Sequence, residues 1–180
     1  VAAALALAGP AASAREQATG SPADQIEAAL LTGESATAIL GRWCADHRLA
    51  DPPRIVARRD PGADQPAPAS VRRALRARRG EPIAYRRVDL ACGERVLSAA
   101  DNWYLPDHLT AAMEKTLETT TTPFGQVVAP LGFHRLTLRA ERPRRPAPGA
   151  PILRITAVLV AVDGRPFSVV RESYLPALAP

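Results

Sequence analysis

Glu172 stands inside the last apolar run of the chain, Phe167-Ser168-Val169-Val170-Arg171-Glu172-Ser173-Tyr174-Leu175-Pro176. A carboxylate in a strand of that composition has two possible settings. It faces water along an edge strand, or it is buried against a partner, because an unpaired charge in an apolar interior is costly. The partner this chain can supply is arginine, since Lys115 is its only lysine among 23 basic residues. Arg86 and Arg87 lie in a run that alternates like a strand, Ala84 to Cys92, so one of them shares a face with Val88 and Leu90. His47, His108 and His134 are scattered, and there is no CxxC, no HExxH and no cluster with metal-ligand spacing, so no metal site is expected.

At 180 residues, 47% of them apolar, the chain is long enough to bury a core as one domain. The net charge of +5 permits anionic partners without specifying a fold. Residues 1–14 resemble the end of a secretory signal: an apolar run Val1 to Ala8, the breaker Gly9-Pro10, then the small triplet Ala12-Ser13-Ala14 before Arg15. The expectation is a signal remnant over 1–14, a flexible lead-in over 15–21 and a single domain over 22–180. On that reading the protein is exported to the periplasm; without a signal it is cytoplasmic. No membrane span is expected in the mature chain, because eight apolar residues are too few. The two cysteines follow compartment: Cys44 and Cys92 are a disulfide candidate in an oxidising space and two buried thiols in cytosol. A disulfide closing that loop stabilises by roughly 4 kcal/mol in the chain-entropy model.

The elements that position these residues follow from periodicity. A helix opens at Pro22, with Ile26 and Leu30 on one face, and a second runs from Ser35 to His47 with Ile39, Leu40 and Trp43 inward. Arg54 to Arg59 reads as a short strand, and Pro61 to Pro68 as a connector. Ser70 to Arg79 reads as a basic helix ended by Gly80, either a phosphate-binding element or a solvated surface helix. No aromatic platform or helix-turn-helix pattern accompanies it, so nucleic acid is not expected as a partner. Strands follow from Pro82 to Cys92 and from Val96 to Leu105, then a helix over Leu109 to Leu117 and a break at Thr122-Pro123-Phe124-Gly125. Phe133 to Arg139 alternates as a strand, and the proline-rich stretch Glu141 to Pro151 leads to a hairpin of Ile152 to Val162 and Phe167 to Pro176. That hairpin turns at Asp163-Gly164. Strands linked by hairpins, with helices early and in one central insertion, predict an α+β domain: an antiparallel sheet with helices packed on one face.

Three segments carry a family resemblance: Glu34-Ser35-Ala36-Thr37 at a helix mouth, Thr-Pro-x-Gly at Thr122 to Gly125, and Asp-Gly-x-Pro with Glu-x-aromatic-Leu-Pro over Asp163 to Pro176. Together with the arginine strand, they make the chain similar to chorismate lyase, the enzyme that makes 4-hydroxybenzoate. The same superfamily includes the effector domains of HutC-type repressors. The resemblance runs from about Leu30 to Pro176. It implies that an arginine holds the ligand carboxylate, that Glu172 meets the far end of the ring, and that Ala36, Phe124 and Gly125 supply backbone contacts. For the arginine, strand parity selects Arg86, whereas counting from Cys92 onto a similarly placed family cysteine selects Arg87. The residues implied to be catalytic are Glu172 and Arg86; those implied to bind substrate are Arg86, Arg87, Ala36, Phe124, Gly125 and Glu172.

The activity so implied is a carbon-oxygen lyase that eliminates pyruvate from chorismate or a related enolpyruvyl acid. It needs no metal or organic cofactor. A glutamate among apolar neighbours would have a raised pKa and donate a proton near the departing oxygen. The alternative function is a non-catalytic, periplasmic binding protein for a small aromatic or carboxylated ligand; in either case a monomer is expected. A buried Arg86–Glu172 ion pair holding two strands in register is the purely structural alternative. The chain departs from the lyase at Asp101-Asn102, which brings an acidic residue to the second strand where the lyase has a basic one.

Overall fold

A computed structural model describes residues 20–179. The signal-like segment 1–14 and nearly all of the lead-in lie outside the described residues. Ser21, expected in the lead-in, caps α1 (Pro22–Leu31): its hydroxyl accepts from the Asp24 amide while the Asp24 carboxylate accepts from the Ser21 amide, a capping box with proline at the first turn. Gly33, at φ +93°, takes the left-handed turn that lets the chain reverse into α2 (Ala36–Asp46), which Ser35 caps through the Ala38 amide.

Six strands follow: β1 (Ile55–Asp60), β2 (Ala84–Cys92), β3 (Arg95–Tyr104), β4 (His134–Glu141), β5 (Leu153–Val160) and β6 (Pro166–Tyr174). They form one antiparallel sheet in the order β1-β2-β3-β6-β5-β4. Consecutive strands pair in β1/β2, β2/β3, β4/β5 and β5/β6, with tight hairpins at β2/β3 and β5/β6, and the β3/β6 pair joins the two halves at the centre. This is the α+β architecture expected from the order of elements. Helices α1 and α2 cover one face, where Ile26, Leu30, Leu40 and Trp43 pack on Leu90, Leu97, Ile155 and Tyr174. The central insertion adds α4 (Ala111–Thr119) and α5 (Phe124–Val127), whose Leu117 and Phe124 pack with Tyr104 and Phe167.

The basic helix differs from expectation. It is the six-residue α3 (Ala69–Ala74), and it ends before Arg76, which adopts φ +51°. Val71 and Leu75 fasten it to Trp103, Val158 and Val169 on the sheet face opposite α1 and α2. Its arginines therefore ride on a packed element, and the contacts that place it are apolar.

Cys44 in α2 and Cys92 at the end of β2 form a disulfide, with Cα atoms 6.0 Å apart. The bond spans 48 residues of sequence and ties the first helical layer to the sheet. Replacing both cysteines by alanine is expected to lower the unfolding free energy by roughly 4 kcal/mol. Urea denaturation of the oxidised protein and of the variant checks this, and coincident midpoints would remove the bond from the stability of the fold.

Candidate functional site

Between α2, α5 and the sheet lies a hollow of about 50 Å3, lined by Arg86, Asn102, Phe124, Gly125, Arg135 and Glu172, among others. Its floor is set by strand pairing. Arg86 lies directly across from Asn102 on β3, and Asn102 from Val170 on β6. Glu172 lies across from Ala100 on one side and Ile155 on the other. The period of two then turns Arg86, Val88, Leu90, Ala100, Asn102, Val170 and Glu172 to one face. The roof is the first turn of α2, through Ser35, Ala36 and Thr37, with Phe124 and Gly125 of α5. A helix N-terminus there adds partial positive charge to the hollow.

The roof closes this tightly only because residue 125 is glycine. A Cβ at that position would stand 3.1 Å from Thr37 Oγ1 and 3.4 Å from Ser35 Cβ. Thr-Pro-x-Gly thus serves packing: Pro123 starts the short helix and Gly125 lets it approach the mouth of α2.

Glu172 is 4% exposed, so the edge-strand setting in water is ruled out. Its partner is Arg135 of β4, 3% exposed, in place of the expected Arg86. Arg135 Nη1 donates to Oε1 at 3.0 Å and Nη2 to Oε2 at 2.5 Å, a two-point fork. Tyr174 donates its hydroxyl to Oε2 at 2.9 Å. Burial first, and then the Glu172 carboxylate, push the Tyr174 phenol well above its ordinary pKa, so it remains a donor. For Arg135, burial works to lower the guanidinium pKa, but the charge of Glu172 and its hydrogen bonds leave it raised. A carboxylate that accepts three hydrogen bonds acts as an acceptor. The surroundings of this glutamate, expected to be apolar, thus include the donors of Arg135 and Tyr174.

Arg86 is the opposite case. It is 4% exposed, and its Nε, Nη1 and Nη2 have no hydrogen-bond partner among the described residues. Burial lowers its pKa, the charge of Arg59 lowers it further, and the Tyr104 hydroxyl works the other way. Tyr104 itself is pushed up to about 12 by burial and by Glu114, to which it donates at 3.3 Å. Asn102, 3% exposed, accepts from Ser168 Oγ at 2.6 Å and leaves Nδ2 unpartnered. Two buried donors side by side, one of them a cation, make a place for an anion.

Arg87 does not reach the hollow. It projects from the other face of β2 and pairs with Asp101 at 2.8 Å, a carboxylate that also accepts from Tyr85 at 2.6 Å. Strand parity decided this. The same parity removes the objection raised by Asp101-Asn102, since the acid faces away and the amide faces in. Ala36, Phe124 and Gly125 are brought to the hollow with Arg86 and Glu172. Arg135 escaped the sequence reading. In the run from Phe133 to Arg139 the leucines look like the inward set, yet Leu136 is 49% and Leu138 53% exposed. Pairing of Arg135 with Leu159, and an amide bond from Arg135 to the Gly33 carbonyl at 3.1 Å, fix the reverse orientation. Among the described residues no group of three or more His, Cys, Asp or Glu is arranged to hold a metal.

Removing one member of the Arg135–Glu172 pair strands the other in the interior. Arg135→Met is expected to destabilise by about 3–5 kcal/mol, and Arg135→Met with Glu172→Leu to recover most of that loss. Denaturant unfolding of the two single variants and the double variant reads the coupling; additive effects would show that the pair is not the controlling contact.

No family model matches the chain. A protein of Sinorhizobium fredii, described as uncharacterised protein y4mC, is 41% identical over 191 aligned positions, covering 90% of this chain and 81% of that one. Among solved structures, the ligand-binding domain of a candidate GntR-family transcriptional regulator from Bordetella bronchiseptica aligns with a TM-score of 0.50 and 25% identity. The match covers 68% of this chain and 83% of that one. The effector domain of PhnF from Mycobacterium smegmatis aligns with a TM-score of 0.52 at 10% identity, over 68% of this chain and 81% of that one, a likeness of fold alone.

Proposed function

The chain belongs to the family of the Sinorhizobium fredii protein y4mC, and from that premise we propose that it is a binding domain for a small organic anion held in the hollow. One observation carries the reading: a buried guanidinium with all three nitrogens unpartnered lines a cavity. Isolated buried charge is unfavourable, and a bound carboxylate would satisfy it with two parallel hydrogen bonds. The apolar wall of Val88, Leu90, Ala100, Leu159 and Val170 suits a hydrocarbon body. The Bordetella structure, a ligand-binding domain by description, supports binding as the use of this fold.

Elimination of pyruvate from chorismate, giving 4-hydroxybenzoate, is the second reading. It is favoured by the placement of Arg86 and Glu172 on one hollow, as the lyase resemblance implies. Two facts put binding first. Glu172 is engaged as an acceptor by Arg135 and Tyr174. The hollow, at about 50 Å3, is also smaller than the roughly 150 Å3 that accepts a benzene ring, so a ring must move Phe124 or Phe133. Export to an oxidising compartment belongs to the same proposal and is supported by the Cys44–Cys92 bond.

Arg86→Met separates function from stability. The variant is expected to gain about 1–3 kcal/mol of unfolding free energy, read as a higher denaturant midpoint, since an unsatisfied buried cation is removed. It is also expected to lose the thermal stabilisation that benzoate and 4-hydroxybenzoate give the native protein. A benzoate shift that survives in the variant would sink the assignment. Incubation with chorismate, followed through 4-hydroxybenzoate and pyruvate, is expected to show no turnover above background; product formation would put the lyase reading first.

A further inference from the structure

We propose that the hollow counts charge, taking a monocarboxylate and rejecting the dicarboxylate of the same shape. This rests on the reading of the hollow as a ligand site and names the class of ligand it accepts.

The buried charges facing the hollow are the guanidinia of Arg86 and Arg135 and the carboxylate of Glu172. Arg135 and Glu172 satisfy each other through two hydrogen bonds, at 3.0 and 2.5 Å, so their charges cancel within the wall. One positive charge remains, and it sits on Arg86. The donors available to an anion are concentrated there as well. Asn102 is the direct cross-strand neighbour of Arg86, which puts their Cβ atoms about 5 Å apart. The Ser168 hydroxyl donates to Asn102 Oδ1 at 2.6 Å, and Nδ2 is left unpartnered on a residue that lines the hollow with Arg86. A fork and an amide make the donor set of one carboxylate.

A second carboxylate on the same ligand meets no second uncompensated cation, and the mouth of α2 in the roof offers it only a partial positive charge. Along the floor it would meet Val88, Leu90, Ala100 and Val170, which offer no donor. Further along it would meet Glu172, a like charge in a poorly screened interior. Arg59 pairs with Val88 at the neighbouring edge strand but is exposed, so its charge is largely screened by water. The lone unpaired donor of Arg135, Nε, can take a neutral oxygen but carries no surplus charge, since Glu172 already balances it.

The test is calorimetric titration of the full chain with two isosteric pairs: succinamate against succinate, and 4-carbamoylbenzoate against terephthalate. Each pair differs in charge at nearly constant size, and the aliphatic pair removes the need to admit a ring. The monoanion of at least one pair is expected to bind tenfold or more tightly than its dianion. Asn102→Leu is expected to weaken the monoanion about tenfold. Glu172→Gln keeps the shape of the side chain but frees the charge of Arg135, and is expected to shift the ratio tenfold or more toward the dianion. A dicarboxylate that binds the native protein as tightly as its monoamide overturns charge selection while leaving a ligand site in place. Failure of all four compounds to bind overturns both that selection and the ligand site on which it rests.

Discussion

Two guanidinia are buried above one sheet and only one carboxylate is there to meet them. Most of what distinguishes this molecule follows from that imbalance. The satisfied arginine, Arg135, gains a fork to Glu172 that bridges β4 to β6 across β5. Such a pair returns little net stability over a hydrophobic replacement. The other arginine, Arg86, finds no such protein partner among the described residues. An anion is the complement that physical chemistry supplies to such a group, and the proposed ligand site rests on it.

The surrounding frame is built to hold that arrangement still. Arg86, Asn102 and Glu172 sit on the adjacent strands β2, β3 and β6; Asn102 and Glu172 are paired on both sides, and Arg86 is fixed through its pairing with Asn102. The roof depends on helix capping and on one absent side chain: Ser35 starts α2 and Gly125 allows α5 to close on it. Outside the hollow, Arg142 reaches Asp24 and Glu27 and fastens the segment after β4 to α1. Those contacts are exposed and contribute through geometry more than energy.

Much of this was legible in the sequence, for identifiable reasons. Alternation through Ala84 to Cys92 separates Arg86 from Arg87, and the structure places them on opposite faces as that period requires. The Asp163-Gly164 turn marks the β5/β6 hairpin, with Gly164 at φ +79°. The capping signals at Ser35 and at Pro22 place both early helices. What escaped was non-local. In β4, two leucines alternate with Phe133, Arg135 and Thr137, and hydrophobicity alone sends the leucines inward; pairing with β5 sends Arg135 there. Glu172 on β6 has β2 two strands away on one side and β4 two strands away on the other, and it pairs with Arg135 of β4 in place of the Arg86 of the purely structural alternative. The length of α3 was also misread, since arginines tolerate a helix but Arg76 adopts a left-handed turn.

The disulfide has a meaning beyond stability. Cys44 belongs to the same helix whose first turn roofs the hollow, and Cys92 to the same strand that carries Arg86. One covalent strut thus sets the spacing between the polarised helix mouth and the cationic hook. Oxidation of this pair decides whether helix and strand are covalently joined, so the domain is braced in one chemical milieu and slack in another.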